Sequence, residues 1–188
     1  MTSHRPGEGA PANTAADALL ERVQRNAFEY FARNTNPRNG LVADTTREGS
    51  QSSIAVVGFA LSAYPVGVER GWMTRADALE RTRVTLRFFM NSDQSGNAGA
   101  TGFHGYYFHF LDMQLGTRVW DSELSMIDTA LLMGGVLTAA AYFTAETHDE
   151  TELRRLANAL YQRVDWRWAQ RDGTALVHGW KPECGFLN

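Results

Sequence analysis

The sequence is poor in the features that mark several common protein classes. Its 188 residues include one cysteine, Cys184, which excludes an internal disulfide and any cysteine-based zinc cluster. The five histidines, His4, His104, His109, His148 and His178, form no HxH or HxxxH pair, so neither a metal centre nor another cofactor is expected. Glycine-rich nucleotide motifs of the Walker or dinucleotide type are absent, and no G-x-S-x-G elbow occurs. A net charge of -3 leaves no basic surplus for nucleic acid. Residues 1–13 are polar and rich in Pro and Gly, without the apolar stretch of an export signal, and are expected to be a disordered tail. The longest apolar run, Leu124 to Phe143, is broken by Asp128 and two glycines and reads as a core helix, so no membrane partner is expected. The chain as given points to the cytoplasm; a missing N-terminus would point to the periplasm instead.

What is present suits one domain with a real core: 44% hydrophobic and 21% charged residues. A first helix is expected from Thr14 to Asn34, with Leu19, Leu20, Val23, Ala27, Tyr30 and Phe31 at helical spacing. A second begins near Ser52 or Ser53 and carries no charge until Glu69; Pro65 should kink or restart it. A third, amphipathic, starts at the cap Thr74 and ends near Asn91. Phe103 to Asp112 reads as extended, with Tyr106, Phe108 and Phe110 on one face and Tyr107, His109 and Leu111 on the other. Arg118–Trp120 could pair with it across Leu115-Gly116-Thr117, giving a small hairpin. The fourth helix is apolar on all sides, and such a helix has to be buried on all sides. The fifth, from Glu150 to Asp165, is amphipathic again. Apolar helices alternating with amphipathic ones suggest an inner ring inside an outer ring, an all-α toroid of helix hairpins rather than a four-helix bundle.

The stretch Trp120-Asp121-Ser122-Glu123-Leu124-Ser125-Met126-Ile127-Asp128 sets three carboxylates at the mouth of the fourth helix. Ser122 or Ser125 can cap that helix, and Ser125 with Asp128 has the form of a capping box. Acidic residues in a first turn also answer to the helix dipole, so their position alone does not assign catalysis. Other carboxylates near loops are Asp44, Asp112, Asp165 and Glu183, and Lys181 could orient a carboxylate beside it. Glycoside hydrolysis needs two carboxyl groups whose separation sets the stereochemistry. Trp120, Trp166, Trp168, Trp180 and Tyr106 lie in or beside loops, where flat faces suit sugar rings; packing is the simpler alternative for each. His109, between Phe108 and Phe110, reads as a packed, hydrogen-bonded histidine, and Asp165 as a cap or pair near the end of the fifth helix.

A series of ordered motifs resembles the bacterial glycoamylase-like family, which includes endo-β-1,2-glucanases and has related domains in cyclic β-1,2-glucan synthases. They are Gly40-Leu41-Val42 followed by Asp44, Ser53 to Leu61, Val68 to Trp72, Phe108 to Asp112, Ser122 to Leu131, Val164 to Trp168, and Trp180-Lys181-Pro182-Glu183. The resemblance covers residues 18–188. It implies an (α/α)6 barrel, no metal, and hydrolysis of a glucan, β-1,2-glucan foremost, by an acid/base carboxylate pair with inversion. It makes Asp121, Glu123, Asp128 and Glu183 the catalytic candidates. The acid role falls to Glu123 or Glu183, with an aspartate assisting the water. Substrate contacts would come from Trp120, Trp166, Trp168, Trp180, Tyr106, Lys181 and Asp44. The helices are fewer than such a barrel needs, so residues 14–188 read as its N-terminal part, with activity of the piece alone left open. Its exposed flanks would then favour self-association. The competing reading is a non-catalytic carbohydrate-binding or assembly module that pairs with another chain.

Overall fold

The computed structural model describes residues 14–171 and 173–187. The tail expected over residues 1–13 lies outside the described residues. The helices are α1 (Thr14–Arg33), α2 (Ile54–Glu69), α3 (Arg75–Asn91), α4 (Met126–Tyr142), α5 (His148–Arg163) and the short α6 (Trp166–Gln170). The strands are β1 (Ser52–Ser53), β2 (Gly102–Phe103), β3 (Tyr106–Phe108), β4 (Phe110–Leu111), β5 (Leu124–Ser125), β6 (Gly179–Lys181) and β7 (Gly185–Leu187). The chain is helix-rich with small sheets, as the helical periodicity indicated.

α3, α4 and α5 start at side-chain caps, each supplying an acceptor for a backbone N–H that has no partner within the helix, whereas Ser53 ahead of α2 makes no side-chain cap bond. Thr74 Oγ1 accepts from the Asp77 N–H at 3.1 Å, Ser125 Oγ from Asp128 at 3.2 Å, and Thr147 Oγ1 from Glu150 at 3.3 Å. Of the two serines that could cap α4, Ser125 does so, and Ser122 stays in the preceding turn. α2 runs through Pro65 to Glu69 instead of stopping there. Tyr64, Pro65 and Gly67 are buried, and that packing outweighs the one backbone bond a proline removes. α5 stops at Arg163, and Asp165 caps the separate turn α6 through the Trp168 N–H at 3.0 Å.

α2 packs along α4, α3 along α5, and α1 lies against α2. The α2–α4 crossing is a backbone contact. A Cβ on Gly58 would stand 2.4 Å from the Leu131 carbonyl oxygen, and one on Gly135 would stand 2.1 Å from the Gly58 oxygen. Only glycine allows that approach. α1 docks through its C-terminal half, where Phe28 fills the space a side chain at Gly67 would need and tilts on Trp72 at 5.5 Å.

Two expectations about burial need correction. α2 and α4 are not covered all round: Phe59 and Val66 on α2, and Ile127, Leu131 and Leu137 on α4, are exposed, Ile127 to 71%. On α1, Leu19, Leu20, Val23 and Ala27 face water, although their spacing marks them as a core face. The periodicity reads a surface that has to be covered; it does not say what covers it. Among the described residues no helix is long and apolar enough to cross a membrane.

The expected hairpin forms in small, within a larger set of strand pairings. Leu111 bridges Arg118, and the Val119 N–H bonds the Phe110 carbonyl at 3.1 Å, but the main partners of residues 103–111 lie elsewhere. β3 sits in a five-stranded antiparallel sheet of order β2-β3-β5-β6-β7, and β4 pairs with β1. Tyr106, Tyr107 and Phe108 are buried whichever face they point to. The sheet joins the start of α4 to the 179–187 hairpin through Leu124↔Trp180 and Ser125↔Gly179.

Candidate active site

The N-terminal ends of α2 and α4 meet at His109. Its backbone N–H bonds the Glu123 carbonyl at 2.9 Å, and its own carbonyl accepts from the Ile54 N–H at 3.2 Å, in the first turn of α2. The imidazole stacks on Phe110, with centroids 3.9 Å apart and planes 15° from parallel. Nδ1 lies 3.0 Å from Glu123 Oε1, and Nε2 lies 3.6 Å from Asp128 Oδ2. Asp128 is almost buried and accepts a 2.5 Å hydrogen bond from the Ser125 hydroxyl, the same oxygen that caps its backbone N–H. Glu123 just precedes β5, and its side chain lies against Gly179, where a Cβ would come within 3.0 Å of Glu123 Cγ.

Burial raises the pKa of Glu123, but its own backbone N–H, the hydrogen bond from His109 and the charges of His109 and His178 outweigh it. The carboxyl is therefore held below the usual glutamate value. An ionised carboxylate only accepts, so the proton of the 3.0 Å contact sits on Nδ1.

Among the described residues, His109, Glu123 and Asp128 form a group whose donor atoms lie within 4.8 Å of one another. Local spacing gave no such group, because the residues come together only through β-pairing. The ring stands between the carboxylates, one nitrogen toward each, and a shared cation would have to displace one of those contacts. The arrangement is a carboxylate–imidazole–carboxylate chain. His109, which its local sequence presents as a packing residue, is the member that sequence reasoning missed. The usable signal was its reach to the two acids bracketing the α4 cap.

Glu183 is held differently. It lies in the β6–β7 turn, half exposed, with Oε1 2.6 Å from Arg118 Nη1 and Oε2 3.1 Å from Nη2. The buried Arg118 guanidinium lies 4.6 Å from the Phe108 ring centre, and its Nε donates to the Ser122 carbonyl at 2.6 Å. That guanidinium, with Lys181 adding a smaller effect, holds the Glu183 carboxyl below the usual range. Arg118 therefore links Glu183 to the backbone immediately before Glu123.

Asp121 and Trp120 occupy the turn ahead of Glu123, both in the left-handed region with φ of 51° and 57°. Two consecutive non-glycine residues there are uncommon, and such strain gathers at working sites. Trp120 is 71% exposed and tilts over Phe110 at 5.2 Å, so Trp120, Phe110 and His109 form an aromatic path from solvent to Glu123. Among the described residues no hydrogen bond or ion pair joins the Asp121 or Asp44 side chain to the cluster. Asp44 bonds through its backbone to Gln51 at 2.8 Å.

The other aromatic candidates pack on one another. Trp168 stacks on His104 at 4.6 Å and meets Tyr106 at 5.8 Å and Trp180 at 6.0 Å, while Trp166 meets Tyr106 edge-on at 5.7 Å. Tyr106 is wholly buried, and its hydroxyl has no hydrogen-bond partner. Burial is the main cause raising its pKa. This group supports the 179–187 hairpin; Tyr106 is closed off from solvent, and Trp166, Trp168 and Trp180 are half-buried in it. A cleft of about 450 Å³ between α1 and α3, near Phe28, Trp72 and Arg81, includes none of the candidate residues.

No family model matches the chain. It is 30% identical over 180 residues to the exo β-1,2-glucooligosaccharide sophorohydrolase (non-reducing end) of Parabacteroides distasonis, covering 91% of this chain and 24% of that protein. Its fold is similar to a glucoamylase-like structure from Bacteroides uniformis, with a TM-score of 0.81 and 27% identity over 90% of this chain and 41% of that one. It is also similar to the β-1,2-glucanase structure from Parabacteroides distasonis, with a TM-score of 0.79 and 28% identity over 90% of this chain and 24% of that one. The chain thus spans less than half the length of each relative. These likenesses agree with the resemblance carried by the sequence motifs: the relatives are β-1,2-glucan hydrolases and glucoamylase-like proteins.

Proposed function

We propose that this chain carries part of a glycoside hydrolase domain that cleaves a β-1,2-linked glucan, with Glu123 at the centre of the chemistry. The observation that carries the reading is the Glu123–His109–Asp128 cluster, set at the joined N-terminal ends of α2 and α4 beside the exposed Trp120. The names of the relatives supply the substrate class.

In an inverting reaction a water attacks the anomeric carbon as the bond to the leaving oxygen breaks. One carboxylate takes a proton from the water, and one carboxyl group gives a proton to the leaving oxygen. A proton donor has to hold its proton at working pH, which needs a raised pKa. Glu123 and Glu183 are both shifted the other way. Neither therefore suits the acid role that the motifs offered them. Glu123 suits the base. Glu183, clamped by both oxygens on Arg118, neutralises a buried guanidinium and fixes the β6–β7 turn. Asp121 lies in the strained exposed turn beside Trp120, within the stretch the motifs mark, and Trp120 is the candidate sugar platform. Lys181, at the end of β6, and Asp44, in a loop, remain substrate-contact candidates through their positions alone.

The same reading takes residues 14–187 as the N-terminal part of an α/α toroid, with α2 and α4 in the inner ring. The uncovered apolar stripes on α1, α2 and α4 support it, since further helices would cover them.

The test is hydrolysis and binding of β-1,2-glucooligosaccharides by this chain. We expect cleavage that is lost in Glu123→Gln, and a tryptophan fluorescence change on binding that is lost in Trp120→Ala. A chain that neither binds nor cleaves β-1,2-glucan overturns the reading.

The exposed stripes also favour a second reading, a module that pairs with another chain or copy. Light scattering decides it: association weakened by Leu131→Lys supports pairing, and a monomer at all concentrations removes it.

A further inference from the structure

Resting on the hydrolase reading, we propose that His109 is a positioning residue, holding Glu123 in the orientation that takes the proton from water, with its own ring held by backbone pairing and the Phe110 stack. Three observations carry this. First, the ring cannot drift: its backbone is bonded to Glu123 on one side and Ile54 on the other, and its face is stacked on Phe110. Second, its two nitrogens face two different carboxylates, Glu123 at 3.0 Å and Asp128 at 3.6 Å. Third, the far carboxylate is itself held, because Asp128 is nearly buried and accepts from the Ser125 hydroxyl that caps α4. A lone glutamate samples many rotamers, and ordering it ahead of reaction removes that entropy from the barrier. The order therefore passes from the backbone pairing and the Phe110 stack through His109 to Glu123, with the Asp128 carboxylate beside the ring's other nitrogen. Gly179 bounds Glu123 on another flank, at the 3.0 Å approach to Cγ.

The test uses the full chain and three substitutions. His109→Phe keeps a ring on Phe110 and removes both nitrogens. His109→Asn returns a donor near the place of Nδ1, and His109→Gln returns one near Nε2. We expect His109→Phe to lower kcat about 100-fold while KM for β-1,2-glucooligosaccharide stays within about threefold, since the group orders a base rather than binding sugar. His109→Asn should recover about tenfold of that loss, and His109→Gln less. Adding His109→Phe to Glu123→Gln should cause no further loss, because a positioning residue acts only through the group it positions. Nitrogen NMR of the His109 ring should show the Nδ1 resonance moving with Glu123→Gln and staying in place with Asp121→Asn. An active chain whose His109→Phe variant keeps its kcat overturns the proposal alone, as does a double variant in which the two losses multiply. A wild-type chain that neither binds nor cleaves β-1,2-glucan overturns the hydrolase reading, and a positioning role for His109 falls with it; in a chain that binds without cleaving, an Nδ1 resonance unmoved by Glu123→Gln overturns the positioning role alone.

Discussion

Between α3 and α5 the contact is ionic, whereas between α2 and α4 it is backbone on backbone. Arg75 grips Glu150 through two 2.9 Å hydrogen bonds, and Glu152 accepts from Arg83 at 2.8 Å and from Arg87 at 2.6 Å. α2 has no charged residue before Glu69, α4 has only Asp128, and the two cross where Gly58 meets Gly135. The charged pair satisfies its groups within the described chain. The uncharged pair brings its helix starts close enough to build the Glu123 cluster, and leaves apolar side chains in water on its outer side. The first layer behaves as a finished support, and the second as a working surface with more to bury.

The sharpest way to break this contrast is Gly135→Val. The added carbons have no room 2.1 Å from a carbonyl, so the helices must part. We expect a loss of about 3 kcal/mol in urea unfolding, the upper range for overpacking. In the ionic layer, Glu150→Ala strands Arg75 and the Ala145 N–H that Glu150 accepts at 2.7 Å. Arg75 is 40% exposed and can rehydrate, so we expect about 2 kcal/mol, below the loss for a fully buried pair. Ser125→Ala removes a cap and a partner of Asp128, for about 1 kcal/mol. Acid should separate the layers. The hydrogen bond from Arg75 holds the Glu150 pKa below the ordinary glutamate value of 4.5, and those from Arg87 and Arg83 do the same for Glu152. In each case the ionised form is favoured by folding. The stabilisation is therefore complete above the unfolded value and is lost as pH falls through the lower folded value. Tm should drop across that interval in the wild type and drop less in Glu152→Gln. The smallest effect is expected at the outer stripe: Ile127→Lys should change stability by no more than about 0.5 kcal/mol while reducing self-association. A loss of several times that would mean Ile127 is covered in solution.

The helices were legible because their signals are local. Thr74, Ser125 and Thr147 cap within three residues of the N–H they serve, and the alternation of apolar and amphipathic segments survives as the α2–α4 and α3–α5 layers. The four acids were legible as loop carboxylates. Their roles were not, because those depend on partners far away in sequence: Arg118 lies 65 residues from Glu183, and His109 14 from Glu123. His109 was passed over for the same reason. The tryptophans near the end of the chain looked like sugar platforms because composition cannot separate a ring that faces solvent from one that faces another ring. Trp120 is exposed, while Trp72, Trp166, Trp168 and Trp180 are half-buried.

The sequence by itself determined the five long helices to within a few residues at their ends, and that Trp120 to Asp128 joins acids to an apolar helix, since caps and periodicity act over a few residues; the short α6 it did not show. The tertiary structure decided which acids share a site, which of them a cation or imidazole holds ionised, and which apolar stripes stay uncovered. Those outcomes rest on antiparallel pairing and backbone contact between distant segments, and on the charges that such contacts bring within a few ångströms of one another.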